Sequence, residues 1–498
     1  MSAKAAWNAL GSPHTELVSQ AESWARLTDR AVMIPEGELH DPMAVNEFTS
    51  WAARAVSNLA NKLALTLFDP VHPAFKLDIA PAMQAKLATT LGMSSDDIEK
   101  MGSALAVVER RVMAGMAGTS LRPKLIQVLL NLIVVGTVLV DLRGDEPTLY
   151  NIREFRCRRK RSGQLIECCI ALKLRKDELA DEVAQLVDGE PHREVTHYQW
   201  AVRQFAGDGV TWKITQYIDD VQLPKEYTST YTSDDAFPWA VPTWTLPIGR
   251  HYGRGLGEQC QQDLFVLAQL SEAQAKGLVA AAEIRWGVDP HGQTNIQDVQ
   301  GSRSGDFIPA RPQDINALGI TTWQVGGLLK DAVDGLKRDL GGLFLLYQSM
   351  VRDAERVTRE EIVQLVREFE GAHAGVHAHI APTLMTPLLR FLLKREGIDL
   401  DTAKELRLRI TTGFEALSRG AEIDRQLSAV QALTALATLP VPIQQRLDWR
   451  RAVDTVDRAV GSELAKQMLD ENVFAQQQVD MQQAATANEM AVRQAGNK

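Results

Sequence analysis

The chain has 498 residues, 45% hydrophobic and 23% charged, with 54 basic residues against 63 acidic ones and a net charge of −9. That length exceeds one ordinary core and predicts several lobes. The acidic balance excludes a tight nucleic-acid binder, whose affinity would come from neutralising phosphates, and four cysteines without a C-x-x-C pair exclude a disulfide framework and the common zinc and redox sites.

The N-terminus, Met1 to Trp7, lacks the apolar core of a signal peptide. Residues 15–68 read as helix, with Trp51, Ala52, Val56, Leu59, Leu63 and Leu67 in one stripe at helical spacing. Asp69-Pro70 stops it, because a proline disfavours helical geometry in the residue before it. A second helical block over 94–135 is expected to break at Pro123 and end near Gly136. The most apolar run, from Leu125 to Val140, is interrupted by Gln127 and Asn131. It is shorter than the roughly 20 residues of a spanning helix, so no membrane segment is expected.

From Val138 the hydrophobic period changes to two. A strand is expected over 138–142 and a hairpin over 149–172 that turns at Arg161-Ser-Gly-Gln164. Further strands over 195–204 and 211–217 flank the turn Gly207-Asp-Gly209. Within the hairpin, Cys168 and Cys169 point to opposite faces, so at least one is packing; all four cysteines suit a reducing cytoplasm. Arg153, Arg156, Arg158, Arg159, Lys160 and Arg161 form the densest basic run. Because it crosses both faces of a strand, a solvated hairpin tip is expected rather than a DNA-binding face.

The glycines of Tyr252-Gly-Arg-Gly-Leu-Gly257 precede a helix, as phosphate loops do, but no G-x-x-x-x-G-K-[ST] occurs in the chain. A flexible helix entry is the expectation. A helix then runs from Glu258 to about Ile284, a small loop-and-strand unit fills 285–322, and helix returns at Trp323. On that second helix Lys330, Asp334 and Arg338 are spaced for i,i+4 ion pairs. A charged loop from Leu345 to Val357 follows, carrying Arg352, Asp353, Glu355 and Arg356. Thr358 and Glu361 form a capping box that opens a very long helix. Pro382 and Pro387 predict a kink or break in it. A strand is expected over 406–410, then helices over 414–439 and 443–474 and a Gln/Ala-rich tail from Ala475.

Chemistry is sparse. His373 and His377 stand one helical turn apart, but Ala374 occupies the place where a zincin carries its glutamate, so a packing cluster is expected and no metal is assigned. A metal-dependent hydrolase on these histidines is the competing reading from another class. No catalytic set is assigned and no cofactor is expected.

Several motifs occur in order: Asn58-Leu-Ala-Asn-Lys-Leu63 with Leu67-Phe68; Tyr252-Gly-Arg254; Gly305-Asp-Phe307; Arg311-Pro312 with Asp314-Ile315; Glu355-Arg-Val-Thr358 with Glu360-Glu-Ile362; and Thr412-Gly-Phe-Glu-Ala-Leu-Ser-Arg-Gly420. Together, over about residues 15–470, the chain resembles the portal proteins, or head-to-tail connectors, of short-tailed phages. It departs at Ser418, where a glycine is usual, at Phe414, where a leucine is, and at Pro382, an additional break.

The resemblance implies an α+β, mainly helical portal fold assembled as a dodecameric ring at one capsid vertex of the virion. It implies a wing over 1–257, stem helices over 258–284 and 323–341, and a clip over 285–322 between them. A tunnel loop over 342–357, a wing helix and strand over 358–420 and a crown over 421–498 complete the expectation. The implied partners are further copies of the chain, double-stranded DNA in weak passage, the major capsid protein, the packaging terminase and then the tail adaptor. Lys330, Lys337, Arg338, Arg352 and Arg356 are the candidate channel cations. A different virion protein, such as an adaptor or scaffold, is a second competing reading.

Overall fold

In the computed structural model of the chain, the residues described are 2–34, 49–67, 75–79, 121–206, 209–282, 285–289, 313–318, 323–346, 376–397 and 408–412, with shorter pieces within 100–112, 291–311, 429–434 and 451–456. The chain divides into two units, 1–413 and 414–498. The second is described only as helical turns near 429–434 and 451–456, where Ala429 and Val453 are buried. The first mixes helices with antiparallel strands.

Helices α1 (Ala3–Ala9), α2 (Ser12–Leu27), α3 (Trp51–Leu67) and α4 (Leu121–Val134) build the helical layer. The whole predicted stripe of α3, from Trp51 through Leu67, is buried, and α3 packs on α4. Each such aliphatic side chain contributes roughly 1.5–3 kcal/mol when fully buried. Pro123 does not break α4. It sits in the first turn, where its missing N–H has no helical partner to lose.

The β-rich middle is an antiparallel meander of β4 (Phe155–Arg159), β5 (Leu165–Arg175), β6 (Glu194–Ala206), β7 (Gly209–Ile218) and β8 (Val221–Gln222), with β9 (Ser229–Tyr231) also on β7. The hairpin turn falls where the sequence places it, with Gly163 at φ 87, a region closed to most side chains. Cys168 and Cys169 are both buried. Cys168 faces its register partner Cys157, while Cys169 clusters with Ala3, Tyr198 and Tyr217 under α1. Both faces of the sheet are covered here, which alternation alone does not reveal.

A smaller sheet orders β10 (Trp239–Ala240), β2 (Leu139–Asp141) and β3 (Thr148–Tyr150). Distant segments also pair: β1 (Phe75–Ile79) runs antiparallel to β13 (Leu408–Thr412), with Leu77 opposite Ile410. Sequence reading places β13 two residues early and does not find β1.

At Pro382 and Pro387, where a kink or break is expected, the helix is disturbed but not ended. Val376–Ile380 passes through a π turn, Ala381–Met385, into α7 (Thr386–Arg395), with Pro387 in the first turn of α7. The wider turn absorbs the clash and the missing donor of Pro382. The Thr386 N–H bonds to the Ala381 carbonyl, and the Thr386 hydroxyl donates to the same oxygen at 3.3 Å. His373 and the side chain of His377 lie outside the described residues; His379 is exposed. Among the described residues no helix is long and apolar enough to cross a membrane.

Candidate functional site

The features with functional content lie on a two-helix limb and at its root. Helix α5 (Gln261–Ala282) packs against α6 (Trp323–Leu343). Between them β11 (Arg285–Val288) and β12 (Ile315–Leu318) pair antiparallel, so the chain goes out along one helix and returns along the other. The insert also holds a short helix, Ile296–Gly301, that the sequence does not announce. One corner of it is fixed by Asp314, whose Oδ2 accepts from the Thr294 N–H and hydroxyl at 3.2 and 2.9 Å. The Arg311 N–H then donates to Thr294 Oγ1 at 3.0 Å. Phe307, on the same insert, is fully exposed.

The limb buries little of its own apolar surface. Leu264, Leu267, Val333 and Leu340 are buried near its base. Leu278, Val279 and Leu328 are 65%, 64% and 71% exposed, and Phe265 and Val266, at the other end of α5, are exposed as well. Large apolar side chains in such numbers on one pair of helices mark a surface built for contact. The helices also carry glycines that no close contact among the described residues requires. A Cβ at Gly277, Gly327, Gly335 or Gly342 meets no atom of the described residues within 4 Å. A helical glycine costs ~1 kcal/mol relative to alanine.

Of the candidate cations, Lys330 and Arg338 are exposed on α6 and Lys337 is half-buried. Arg352 and Arg356 lie outside the described residues. The predicted i,i+4 pairs are not formed: among the described residues no ion pair joins Lys330, Asp334 and Arg338. Exposed pairs of this kind gain only tenths of a kcal/mol against side-chain entropy.

The two ends of the limb are rooted differently. Entry to α5 is a close backbone crossing. A Cβ on Gly253 would come within 2.3 Å of the Gly136 carbonyl oxygen, and one on Gly255 within 2.7 Å of the Ile133 carbonyl oxygen. The Gly253 N–H donates to Thr137 Oγ1 at 2.6 Å. The glycine cluster is therefore neither a phosphate loop nor a flexible entry; its residues lack side chains because α4 runs against them. Trp24 adds a tie, its indole N–H bonding Gln261 Oε1 at 3.0 Å.

At the other end α6 stops in a Schellman arrangement: the Leu346 N–H bonds the Gly341 carbonyl at 2.9 Å and the Leu345 N–H bonds that of Gly342 at 3.3 Å. The left-handed position is occupied by Leu345 at φ 51, not by a glycine. The surroundings hold it there. Lys62 Nζ donates to the Leu345 carbonyl at 2.6 Å, Asn58 Nδ2 donates to it at 3.2 Å, and Phe344 is buried edge-on against Trp51 at 6.3 Å. Asn58 and Lys62, one helical turn apart on α3, thus clamp the point from which the charged loop departs. Sequence reasoning missed this role. The available signal was an amide and a lysine inside an otherwise apolar stripe.

The basic run is solvated at the hairpin tip, as expected, while its remaining members are structural. Arg153 pairs with Glu22 at 2.6 Å, and Arg156 lies over the Trp7 ring at 4.1 Å. Arg158 pairs with Glu167 at 2.9 Å, and Arg159 is buried on the carbonyls of His251, Gly163 and Val241. Arg158, Lys160 and Arg161 are exposed. His14 belongs to the same staple: its ring bonds the Ile152 carbonyl at 2.6 Å through Nε2 and accepts from Arg156 Nε at 3.2 Å through Nδ1. Burial lowers its pKa to about 4, with the nearby Arg156 charge acting in the same direction. Burial also pushes the Cys157 and Cys260 thiols up to about 11, so neither is a reactive thiolate at neutral pH.

Known proteins resemble this chain over most of its length. The sequence pattern of the family described as "Bacteriophage head to tail connecting protein" matches residues 36–465. The portal protein of Enterobacteria phage SP6 is 28% identical over 97% of this chain and 93% of its own length. That of Enterobacteria phage T3 is 28% identical over 99% and 93%, and that of Escherichia phage T7 is 26% identical over 88% and 83%. A solved chain from the virion of a native gene transfer agent particle aligns over 78% of this chain and 87% of that one at 11% identity and a TM-score of 0.36, too low to carry an argument. The chain is a member of the bacteriophage head-to-tail connecting protein family, similar to the portal proteins of T7-like phages.

Proposed function

We propose that the chain is the subunit of a closed, dodecameric ring at one capsid vertex, through which double-stranded DNA is packaged and later ejected. The observation that carries the ring is the limb's exposed apolar surface together with its unexplained glycines. In a ring, α5 and α6 of neighbouring copies cover Leu278, Val279 and Leu328, and the open glycines let helices approach closely. Identical units arrayed about one axis present the same two patches at every junction, which closes the assembly.

On this reading the limb is the stem, residues 285–322 between its helices are the clip, and the segment leaving the clamped Leu345 is the tunnel loop. The remaining helices and the sheet make the wing, and residues 421–498 the crown. Lys330, Lys337, Arg338, Arg352 and Arg356 face the bore. A few cations in an acidic chain hold a duplex off the wall without gripping it, since firm binding needs many phosphate neutralisations. The clip, whose Phe307 is exposed, meets the terminase and then the tail adaptor on this reading, and the wing meets the major capsid protein.

The test is to replace Leu278 and Leu328 with aspartate and sediment the purified protein. Wild type is expected to sediment as a large assembly and the double variant as single, folded chains. An assembly unaffected by both charges removes the limb from the subunit contact.

A further inference from the structure

Apart from the limb, the sheet region and α7 enclose a cleft that the ring reading does not use. Two connected cavities of about 440 and 260 Å³ share Asp235, Phe237, Pro387 and Arg390. One wall is the loop before β10, where Phe237 stacks on Trp212 at 4.0 Å. The other is the π turn and α7, the segment that Pro382 and Pro387 reshape. π turns of this kind recur at functional positions.

Among the described residues, two donors here have no acceptor. Trp239 is 3% exposed, lines the smaller cavity, and its indole N–H has no hydrogen-bond partner. Arg390 lines both cavities; its Nη2 pairs with Asp235 at 3.0 Å while its buried Nε bonds nothing. A buried donor without an acceptor is costly and rare. Asp234 is already committed, accepting from Arg203, Trp212 and Gln164. The larger cavity is lined by Arg143, which is paired with Asp141 at 2.5 Å, and by Arg390, Lys394 and Arg395 against Asp145 and Asp235. In a chain of net charge −9 that is a local cationic excess. Lys394 and Arg395 are both exposed in the last turn of α7, where the helix dipole also favours cations.

We propose that this cleft docks an acidic peptide segment of a partner protein, its carboxylates accepting from Trp239, Arg390, Lys394 and Arg395 and its apolar side chains resting on Phe237 and Phe391. A duplex is a poor occupant, because a phosphate backbone cannot enter an aromatic-lined cleft of this volume and Asp145 and Asp235 repel its repeated charge. A single carboxylate passes between them. The inference does not depend on the ring.

The experiment is fluorescence anisotropy of the full chain with a fluorescein-labelled peptide of alternating Glu and Phe. Saturable binding is expected. Lys394→Glu with Arg395→Glu, both at exposed positions, is expected to weaken it by at least about tenfold, as loss of charge-assisted bonds does. Trp239→Phe, which keeps a ring and removes the N–H, is expected to weaken it by about threefold or more. The matched charge change at exposed Lys173 and Arg161 leaves affinity within about twofold, since those residues lie outside the cleft. Equal loss in that control pair, or no saturable binding, overturns the proposal. So does displacement of the peptide by acetate at equal concentration, which indicates a simple anion site. A duplex that binds more tightly with the same variant sensitivity assigns the cleft to nucleic acid and overturns it too.

Discussion

Leu345 holds a backbone conformation that costs a non-glycine residue roughly 1–2 kcal/mol, and it does so at the root of the charged loop. Burial of its own side chain and the clamp from Lys62 and Asn58 offset that cost. Replacing Lys62 with methionine keeps the apolar stem and deletes the donor. It is expected to destabilise the folded chain by about 1–3 kcal/mol, read from thermal unfolding. Unchanged stability would mean the carbonyl does not need Lys62. His14 sets a pH limit at the same scale. Its folded pKa, about 4, lies below the ordinary value of 6.5, so the unfolded chain takes up the proton first. The stability it contributes is complete above about pH 6.5 and is lost as pH falls toward 4, up to roughly 3 kcal/mol. His14→Gln should flatten that part of the stability profile; an unaltered acid limb would show that another group governs it.

At the scale of elements, glycines of two kinds make opposite predictions. Gly253 stands where a Cβ collides with backbone, so Gly253→Ala should cost about 1–3 kcal/mol, as overpacking does. Gly335 stands in open space on a helix, so Gly335→Ala should stabilise the isolated chain by about 1 kcal/mol while weakening association of copies. Thermal unfolding and sedimentation together check both signs, and parallel changes in the two would contradict the contact role of the limb. The sequence made the limb legible, because α5 and α6 are long, periodic and separated by a Pro- and Gly-rich insert. It made the meander legible through alternation and the turn at Gly163. β1 was not legible, since its pairing partner lies more than three hundred residues away, and no local pattern reports that. The π turn was not legible either, because proline announces a disturbance without saying which one. The clamp at Leu345 was hidden for a related reason: the motif around Asn58 reads as a helix face, and only the packed structure brings it to the end of α6.

For the whole molecule, the proposed ring sets an acidic net charge and a small set of cations around a wall past which a polyanion would slide. Reversing Arg352 and Arg356 to glutamate should leave assembly intact and lower the yield of packaged genome; unchanged yield in that double variant would remove them from the bore. Direct imaging of the purified wild-type protein by electron microscopy, with particle mass measured on the same preparation, tests the central claim most closely. A closed ring of about twelve copies around an open centre is expected. A single-copy particle without a perforation would contradict it.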